Sequence, residues 1–355
     1  MKDINLSKKE IINLLLSENQ EEIDKLFQLA NQLAENLFGN KVFFRGLLEF
    51  SNICSKDCFY CGLRKSNKNL SRFLITEEEI LSAAIWADQN GYGSITLQSG
   101  EINTASRLDL IKSIISQIKK HTKLGITLSL GELCKKTYQD LFELGAHRYL
   151  LRIETSSSSL YKKVHPKDHS FENRLQCLKD LQDIGYQTGT GVMIGLPFQT
   201  IKDLANDLLF FQKFDIDMIG MGPYLCHEDT PLAKTASSFS KDKRFTLSLK
   251  MIALARVLLK DVNIAAATAL QVLDAKGREK ALQCGANVLM PIITPKKYRD
   301  HYMIYEDKPC TDETASQCQM CLKRRLKSAK KEIAYNEWGD PPHFFARTKK
   351  IKIGL

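Results

Sequence analysis

Three cysteines, Cys54, Cys58 and Cys61, share one short stretch with the spacing C-x3-C-x2-C. An aromatic residue stands before the last cysteine and a glycine follows it. Three thiolates this close can bind three irons of a cubane [4Fe–4S] cluster and leave the fourth iron open. Because an open iron can bind a substrate, the loop indicates chemistry rather than electron storage. The alternative is a zinc site, which usually takes four ligands, whereas no fourth Cys or His lies nearby in the sequence.

A second group of cysteines, Cys310, Cys318 and Cys321, has the spacing C-x7-C-x2-C, again without a fourth ligand. The group predicts an auxiliary iron–sulfur cluster. Two alternatives stay open: a zinc site completed by His301 or a water, and a set of thiols without metal. The remaining cysteines are scattered, and we expect small buried hydrophobic residues at all four of these positions: Cys134, Cys177, Cys226 and Cys284.

The elements that must position these residues repeat from Lys41 onward as a short β-rich run, a loop and a helix. Eight strand candidates alternate with helices, which favours a parallel (β/α)8 barrel. An open doubly wound sheet is the alternative, but no G-x-G-x-x-G follows the first strand. The predicted strands are 43–50, 94–98, 125–130, 148–154, 188–194, 216–221, 262–267 and 286–290. The predicted helices lie near 76–90, 106–121, 135–144, 170–184, 200–213, 243–259 and 276–283, and a capping box, Thr76–Glu79, opens the first of them.

Three segments are predicted along the chain. Residues 1–40 form an N-terminal helical extension, in which 8–38 read as two amphipathic helices and Ser7 caps the first. Residues 41–308 form the barrel. Residues 309–355 form a C-terminal helical segment with the second cysteine group and a basic tail, which is interpreted as a solvated helix face or a docking surface.

Polar residues follow several of the predicted strands. The first cysteine loop follows strand 1, Glu101 follows strand 2, Glu132 follows strand 3, Glu154 ends strand 4 and His227 follows strand 6. Active sites of α/β barrels lie at the C-terminal ends of the strands. The sequence therefore predicts one shared site at this end of the barrel.

Composition excludes several classes of protein. The sequence contains no run of 18 apolar residues, so no membrane helix is predicted. Met1–Leu6 lacks the apolar core of a signal peptide. Ten cysteines without an export signal argue against a disulfide framework, so we expect a cytoplasmic protein. The formal net charge is +10, but most of it lies after Leu322, so the barrel carries too little positive charge to suggest a nucleic-acid groove.

The first cysteine loop, together with Leu97–Glu101 at the next strand end, resembles the radical S-adenosylmethionine (SAM) superfamily. From about Asn40 to Cys321 the chain is similar to one of its members, the [FeFe]-hydrogenase maturase family HydE. Each matching stretch is weak alone, but together and in this order they are specific. The stretches are Glu49–Cys54, Cys58–Arg64, Leu97–Glu101, Thr127–Glu132, Arg148–Arg152 with Glu154–Thr155, Ser170–Arg174, Gly195–Pro197, Asp229–Leu232, Cys284–Val288 and Met290–Pro291.

The resemblance implies that a reduced cluster donates one electron to the sulfonium of SAM and releases a 5′-deoxyadenosyl radical. Within a closed barrel such a radical is shielded from solvent. The implied cluster ligands are Cys54, Cys58 and Cys61. The implied SAM contacts are Ser99, Gly100 and Glu101 to the methionine amino group, Glu154 to the ribose hydroxyls and Arg174 to the carboxylate. An ordinary helix cap for Glu154 and an exposed helix charge for Arg174 are the structural alternatives.

An inner cavity that binds anionic sulfur-containing or iron-complex ligands is also implied. Arg152 is the candidate to hold the anion, because a guanidinium that points into a barrel needs a negative partner. The alternative is a salt bridge from Arg152 to Glu132 or Glu154. The residues that match the lining are Thr127, Arg152, Thr268, Met290, and Tyr302 or Tyr305.

The chain departs from the family pattern at three positions. Ile153 stands where a histidine is common, Ala267 where a second threonine is common, and Cys226 where proline is usual. These departures concern substrate contacts and leave the cluster and SAM residues intact. Some family members have the second cysteine group with an auxiliary cluster, and others lack it.

The resemblance thus implies a role in assembling the dinuclear iron subcluster of [FeFe]-hydrogenase. The substrate would be a cysteine-bound iron complex or another small thiol or thiazolidine-like ligand. The implied partners are other hydrogenase maturases and an electron donor such as ferredoxin or flavodoxin, with neither nucleic acid nor membrane. The alternatives are a biotin-synthase-like or methylornithine-synthase-like radical enzyme, and an iron–sulfur carrier without SAM chemistry.

Overall fold

A ring of eight parallel strands forms the centre of the molecule in the computed structural model, which describes residues 6–353 and, for 350–353, the backbone alone. The strands are β1 (Lys41–Ser51), β2 (Ser94–Ser99), β3 (Gly125–Ser129), β4 (Ala146–Leu150), β5 (Gln187–Thr190), β6 (Met193–Ile194), β7 (Met218–Ile219), β8 (Gly222–Pro223), β9 (Asn263–Ile264), β10 (Val288–Leu289) and β11 (Glu332–Ile333). Residues 1–5 of the predicted extension and 354–355 of the predicted tail lie outside the described residues.

The ring is a barrel. Its order is β10-β1-β2-β3-β4-β5-β7-β9, and β6 pairs with β8 beyond the ends of β5 and β7. Ala265, directly after β9, forms a parallel bridge with Val288 of β10, and the Ala266 amide donates to the Val288 carbonyl at 2.9 Å. The last strand therefore joins the first, and the predicted (β/α)8 barrel is confirmed.

Helices surround the ring. They are α1 (Lys8–Leu16), α2 (Gln20–Phe38), α3 (Glu77–Gln89), α4 (Ala105–His121), α5 (Lys135–Glu143), α6 (Ser158–Val164), α7 (Phe171–Ile184), α8 (Ile201–Lys213), a 3-10 turn (Pro231–Lys234), α9 (Lys241–Leu259), α10 (Leu270–Leu273), α11 (Gly277–Gln283), α12 (Lys296–Arg299), α13 (Ala315–Ser328) and α14 (Pro342–Ile353). Among the described residues no helix has the length and apolar content that crossing a membrane requires.

Local signals explain how two of these helices begin. Ser7 caps α1 in a full capping box with Glu10, as predicted for the first helix. At α3 the box is incomplete: Thr76 accepts from the Glu79 amide at 3.3 Å, but the Glu79 carboxylate contacts Lys297 and Tyr298 instead. A tertiary ion pair has replaced the second half of the predicted capping box.

The core lies between the strands and the helices. β1 is buried along nearly its whole length, as expected for a strand of a parallel sheet that has helices outside it. The N-terminal helices belong to the same core, because Ile11 and Leu15 of α1 and Leu26 of α2 pack in it. Lys250 of α9, itself buried, donates to the Leu15 carbonyl at 3.2 Å and so fixes the end of α1.

The C-terminal segment covers the N-terminal ends of the strands. β11 pairs with the start of β1, and the Trp338 ring stacks on His147 at a centroid distance of 4.7 Å. Arg148 of β4, fully buried, donates to the Trp338 carbonyl at 2.7 Å and also pairs with Asp340. Asn263 of β9 donates to the Gly339 carbonyl at 2.7 Å. This end of the barrel is therefore closed by residues far along the chain from the strands that they contact.

Candidate active site

The first cysteine loop leaves the C-terminal end of β1 and is held by one buried asparagine. The Asn52 side chain donates to the carbonyls of Ser71 at 2.7 Å and His301 at 2.6 Å. Its Oδ1 accepts from the Phe73 amide at 2.8 Å. Because Asn52 satisfies three backbone groups at once, the start of the loop has a defined conformation before Cys54 is reached.

The end of β2 lies against this loop. The Glu101 amide donates to Cys54 Sγ at 3.3 Å, and the Gly100 amide donates to the Ser51 carbonyl at 2.9 Å. A Cβ atom on Gly100 would stand 2.3 Å from the Ile53 carbonyl oxygen and 2.8 Å from the Cβ of Cys54. Only glycine permits this approach. Ser99, Gly100 and Glu101 are thus brought to the cysteines, as the sequence predicted.

The three thiols share an environment that favours a bound cation. Burial raises the pKa of Cys54, and it raises the pKa of Cys58 to about 12. Burial also raises the pKa of Cys61, and the negative charges of Cys58 and Cys54 raise it further. Three sulfurs close enough to oppose one another's ionisation are stabilised as thiolates by positively charged iron. The donor set fits a cubane cluster with one open iron.

Charged residues from several strand ends meet beside the loop. Lys56 lies 3.2 Å from Glu101 and 3.0 Å from Glu132, while Arg174 Nε lies 2.9 Å from Glu132. Burial acts to raise the pKa of Glu132, but Arg174 and Lys56 hold it below its usual value. Burial raises the pKa of Glu101 in spite of the same two cations. Arg174 is therefore a buried, paired residue and not an exposed helix charge.

Arg152 and Glu154 form a bidentate ion pair. Arg152 Nε and Nη2 each lie 2.9 Å from a Glu154 carboxylate oxygen, and Nη1 donates to the Gly220 carbonyl at 2.6 Å. Glu154 has a positive φ of 64°, which turns its side chain away from the path of the strand. The internal salt bridge that the sequence left open for Arg152 is thus present, with Glu154 as the partner.

A small cavity lies inside the barrel, and Thr127 and Met290 line it as predicted. Of the side-chain atoms that the structure describes, Thr127 Oγ1 is among those buried without a hydrogen-bond partner. The other predicted lining residues, Arg152, Thr268, Tyr302 and Tyr305, are not among the described residues that line this cavity. Tyr305 is instead a neighbour of Arg152, and burial raises the pKa of its hydroxyl. The remaining lining residues are Arg45, Thr96, Leu150, Met218, Ile219, Gly220, Asn263, Ala265 and Val288.

The second cysteine group is partly assembled. Cys310 Sγ, a Glu313 carboxylate oxygen and Cys318 Sγ lie within 4.8 Å of one another. Cys321 and His301 are outside this group, as far as the described residues show. Glu313 has no signal in the sequence beyond its position between two cysteines. The arrangement gives three donors, one of them a carboxylate, where the sequence predicted three thiols.

The scattered cysteines divide into two kinds. Cys177 and Cys284 are buried, as expected. Cys134 and Cys226 are exposed, so the expectation of burial was wrong for these two. The physical reason is their position: Cys134 caps the start of α5, and Cys226 lies in the loop after β8 beside the Glu306 amide.

Comparison with known proteins adds to this geometry. The family model described as the radical SAM superfamily matches residues 48–211. The [FeFe] hydrogenase maturase subunit HydE of Thermotoga maritima is 45% identical over 338 residues, which are 95% of this chain and 94% of that protein. The 3-methylornithine synthase of Methanosarcina acetivorans is 27% identical over 81% of this chain and 80% of its own length. The crystal structure of methylornithine synthase (PylB) matches with a TM-score of 0.81 at 24% identity, over 94% of this chain and 95% of that one, which is similarity of fold.

Proposed function

Because the chain belongs to the radical SAM superfamily and to its [FeFe]-hydrogenase maturase HydE family, it is a radical SAM enzyme, and we propose that it acts in assembly of the dinuclear iron subcluster of [FeFe]-hydrogenase. One contact is the most direct support for this proposal. The end of β2 reaches the cysteine loop so closely that the Glu101 amide contacts Cys54 Sγ. A molecule bound to Glu101 would therefore lie beside a cluster held by the cysteines.

The cluster is assigned to Cys54, Cys58 and Cys61. When bound and reduced, it supplies one electron to the sulfonium of SAM, whose cleavage gives methionine and a 5′-deoxyadenosyl radical. The half-buried loop limits access of water to these three sulfurs. The Glu101 amide, directed at Cys54 Sγ, stabilises negative charge on that ligand.

The SAM contacts are assigned to residues at the end of β2, after β4 and on α7. Ser99, Gly100 and Glu101 hold the ammonium of the methionine moiety, for which carbonyl and carboxylate oxygens are suitable acceptors. Arg174 receives the carboxylate, since a guanidinium has five N–H donors and its pairing with Glu132 uses only part of them. Glu154 accepts from the ribose hydroxyls while it remains paired with Arg152, because an ionised carboxylate has about four acceptor positions.

The substrate is assigned to the inside of the barrel, between Arg152 and the small cavity described above. Arg152, through its contact with Gly220, joins the SAM end of the site to the cavity that Thr127 and Met290 line. The enclosed cavity, of about 30 Å³, is itself too small for such a ligand, so a small sulfur-containing ligand or a cysteine-bound iron complex is assigned to its Arg152 edge, where a guanidinium can hold an anion. We assign Thr268 and Tyr305 to the approach to this space, other hydrogenase maturases to its supply, and a ferredoxin or flavodoxin to reduction of the cluster.

Two further assignments concern the three segments of the chain and the second cysteine group. Residues 1–40, 41–308 and 309–355 are assigned as helical extension, catalytic barrel and C-terminal segment. In the last of these, Cys310, Cys318 and Cys321 are assigned to an auxiliary iron–sulfur cluster, with Glu313 as a further donor.

The test is anaerobic reconstitution followed by dithionite reduction in the presence of SAM. We expect absorbance and EPR signals of a [4Fe–4S] cluster and formation of 5′-deoxyadenosine. The triple variant C54A/C58A/C61A should lose the SAM-responsive cluster signal and 5′-deoxyadenosine formation, while C134A, which removes an exposed cysteine elsewhere, should keep both. An intact cluster that does not cleave SAM would overturn the proposal. Hydrogenase maturation in a strain lacking its own HydE then tests the role itself.

A further inference from the structure

A surface beside the first cysteine loop presents an aromatic ring to solvent. Phe198 is 50% exposed and has a backbone φ of 69°, a conformation that bulky residues rarely adopt. The turn that holds it is well fixed, because the Gln199 side chain accepts from the Gly195 amide at 2.6 Å and donates to the Met193 carbonyl at 2.9 Å. Strained backbone conformations of this kind cluster at binding sites and ligand clamps.

One exposed lysine lies over this ring, and three more stand on α6, α8 and the 3-10 turn. The Lys163 ammonium lies 5.2 Å from the Phe198 ring centroid, and Lys162 precedes it on α6. Lys202 lies in the first turn of α8, and Lys234 ends the 3-10 turn. All four are exposed, and none has a carboxylate partner in the part of the chain that the structure describes. We call Phe198 with these four lysines the Phe198 surface.

The Phe198 surface adjoins the cluster ligands. Leu160 and Val164 of α6, Leu196 and Leu232 pack in one apolar cluster, and Phe59 and Tyr60 pack against it. The Phe59 amide donates to the Val164 carbonyl at 3.1 Å, and the Leu232 amide donates to the Phe59 carbonyl at 3.1 Å. α6 and the 3-10 turn, which carry three of these four lysines, therefore contact Phe59, which lies between Cys58 and Cys61.

We propose that the Phe198 surface is the docking site for a small acidic one-electron carrier of the flavodoxin or ferredoxin class, an inference that rests on the proposed function. The carrier loses one electron from its reduced flavin or iron–sulfur centre, and the cluster gains it, passing from the 2+ to the 1+ state. Unpaired lysines attract and orient an acidic partner. The exposed ring supplies an apolar anchor among them. Docking here brings the carrier to the cysteine loop, and short distance is what electron transfer between proteins requires.

The experiment compares two reductants on the reconstituted full-length enzyme. Anaerobic stopped-flow measures reduction of the cluster by flavodoxin hydroquinone and, separately, by dithionite, which is too small to need a docking site. The test variants are the charge reversal K162E/K163E/K202E and the single substitution Phe198→Ala. The matched control is K323E/R324E/K327E, which changes the charge equally on exposed residues of α13, next to the second cysteine group.

We expect the charge reversal to lower the second-order rate constant with flavodoxin by about tenfold or more at low salt. The dependence of that rate on ionic strength should weaken as well. Phe198→Ala should lower the rate without changing its salt dependence. Reduction by dithionite, and SAM cleavage under dithionite, should match the wild type in both variants, which also shows that they fold.

Three results would overturn the docking proposal: flavodoxin rates within twofold of wild type in the charge reversal, a slower rate in the α13 control instead, or loss of hydrogenase maturation with unchanged reduction by flavodoxin. The last would assign the surface to another protein. Failure of the wild type to cleave SAM under dithionite would instead contradict the proposed function, so the two failures are distinguishable.

Discussion

The hydroxyl of Tyr60 donates a hydrogen bond to Nε2 of His165 across 2.9 Å. The direction follows from the other ring nitrogen: His165 Nδ1 lies 2.9 Å from the Tyr161 carbonyl, which can only accept, so Nδ1 carries the proton. Burial lowers the pKa of His165 to about 3, so the ring is neutral at ordinary pH. Its face stacks on Tyr161 with a centroid distance of 3.8 Å. A neutral histidine thus fixes the tyrosine that precedes Cys61.

His165→Phe should preserve the stack on Tyr161 and remove the acceptor. The half-buried Tyr60 hydroxyl would lose this partner, at a cost of about 1 kcal/mol in the free energy of unfolding. We expect unchanged iron content after reconstitution and weaker SAM binding, measured by titration of the EPR signal of the reduced cluster. In the double variant Y60F/H165F both polar groups are gone, so stability should return close to wild type. Equal stability of His165→Phe and wild type would show that the hydrogen bond contributes nothing.

Glu154→Gln should weaken SAM binding by about 10- to 100-fold, the range expected when a hydrogen bond to a charged group is lost. The amide keeps the shape of the side chain but cannot neutralise Arg152, so the protein should also become less stable. Adding Arg152→Gln separates the two effects: stability should recover, while the dissociation constant for SAM stays high. Wild-type affinity in Glu154→Gln would exclude a role in SAM binding. Isothermal titration under anaerobic conditions measures both variants.

The C-terminal cysteine group has its own iron prediction. C310A/C318A/C321A should lose one cluster's worth of iron on reconstitution and keep the SAM-dependent EPR change of the first cluster. C54A/C58A/C61A should keep the iron of the second site and lose the SAM-dependent EPR change. Glu313→Ala should lower iron retention at the second site, because this carboxylate lies within 4.8 Å of Cys310 and Cys318 sulfurs. Equal iron in wild type and in C310A/C318A/C321A would leave the group as thiols without a cluster, and zinc in their place would be seen in the metal analysis.

Asp207 predicts an unusual dependence of stability on pH. It is fully buried in α8, where it accepts from the Ser156 amide and hydroxyl, each at 2.6 Å. Burial raises its pKa to about 7, above the ordinary value of 3.8. The folded chain therefore keeps a proton that the unfolded chain releases, so this contribution to stability falls as pH rises from about 4 through 7.

The raised pKa of Asp207 changes the free energy of unfolding by at most about 4 kcal/mol over this pH range, from 1.36 kcal/mol per pKa unit. Urea unfolding between pH 5 and 8 measures it. Asp207→Asn, which keeps a neutral side chain of the same shape, should remove this part of the pH dependence. Parallel curves for the wild type and this variant would contradict the assignment of the raised pKa to Asp207.

Much of the barrel could be predicted from the sequence because the spacing of apolar residues and the turn-forming residues between elements are local signals. The eight predicted strands and the helices between them all occur, with ends that shift by a few residues. Strand 4 is a clear deviation: it was predicted to reach Glu154, but β4 ends at Leu150. Beyond that point the chain turns through the positive φ of Glu154, which pairs with Arg152.

The site likewise contains residues that the sequence could predict and contacts that it could not. Cys54, Cys58, Cys61 and the Ser99–Glu101 segment were predicted because a motif places them next to one another in sequence. The partners of the charged residues could not be predicted: Arg174 pairs with Glu132, and His165 with Tyr60, across long stretches of chain. Such pairs depend on where strand ends meet, which no local pattern specifies. Glu313 was missed for a simpler reason, since a carboxylate between cysteines has no distinctive spacing.

The C-terminal segment across the base of the barrel has a consequence for how the chain is made. Arg148 emerges from the ribosome long before Trp338 and Asp340, the residues that satisfy its guanidinium once it is buried. Until these residues follow, a cation at the base of β4 has no carboxylate to pair with, and an uncompensated buried charge is strongly unfavourable. Completion of the barrel thus waits for synthesis of the segment that carries Asp340, and a nascent chain that stalls before it would expose the base of the barrel to chaperones and proteases.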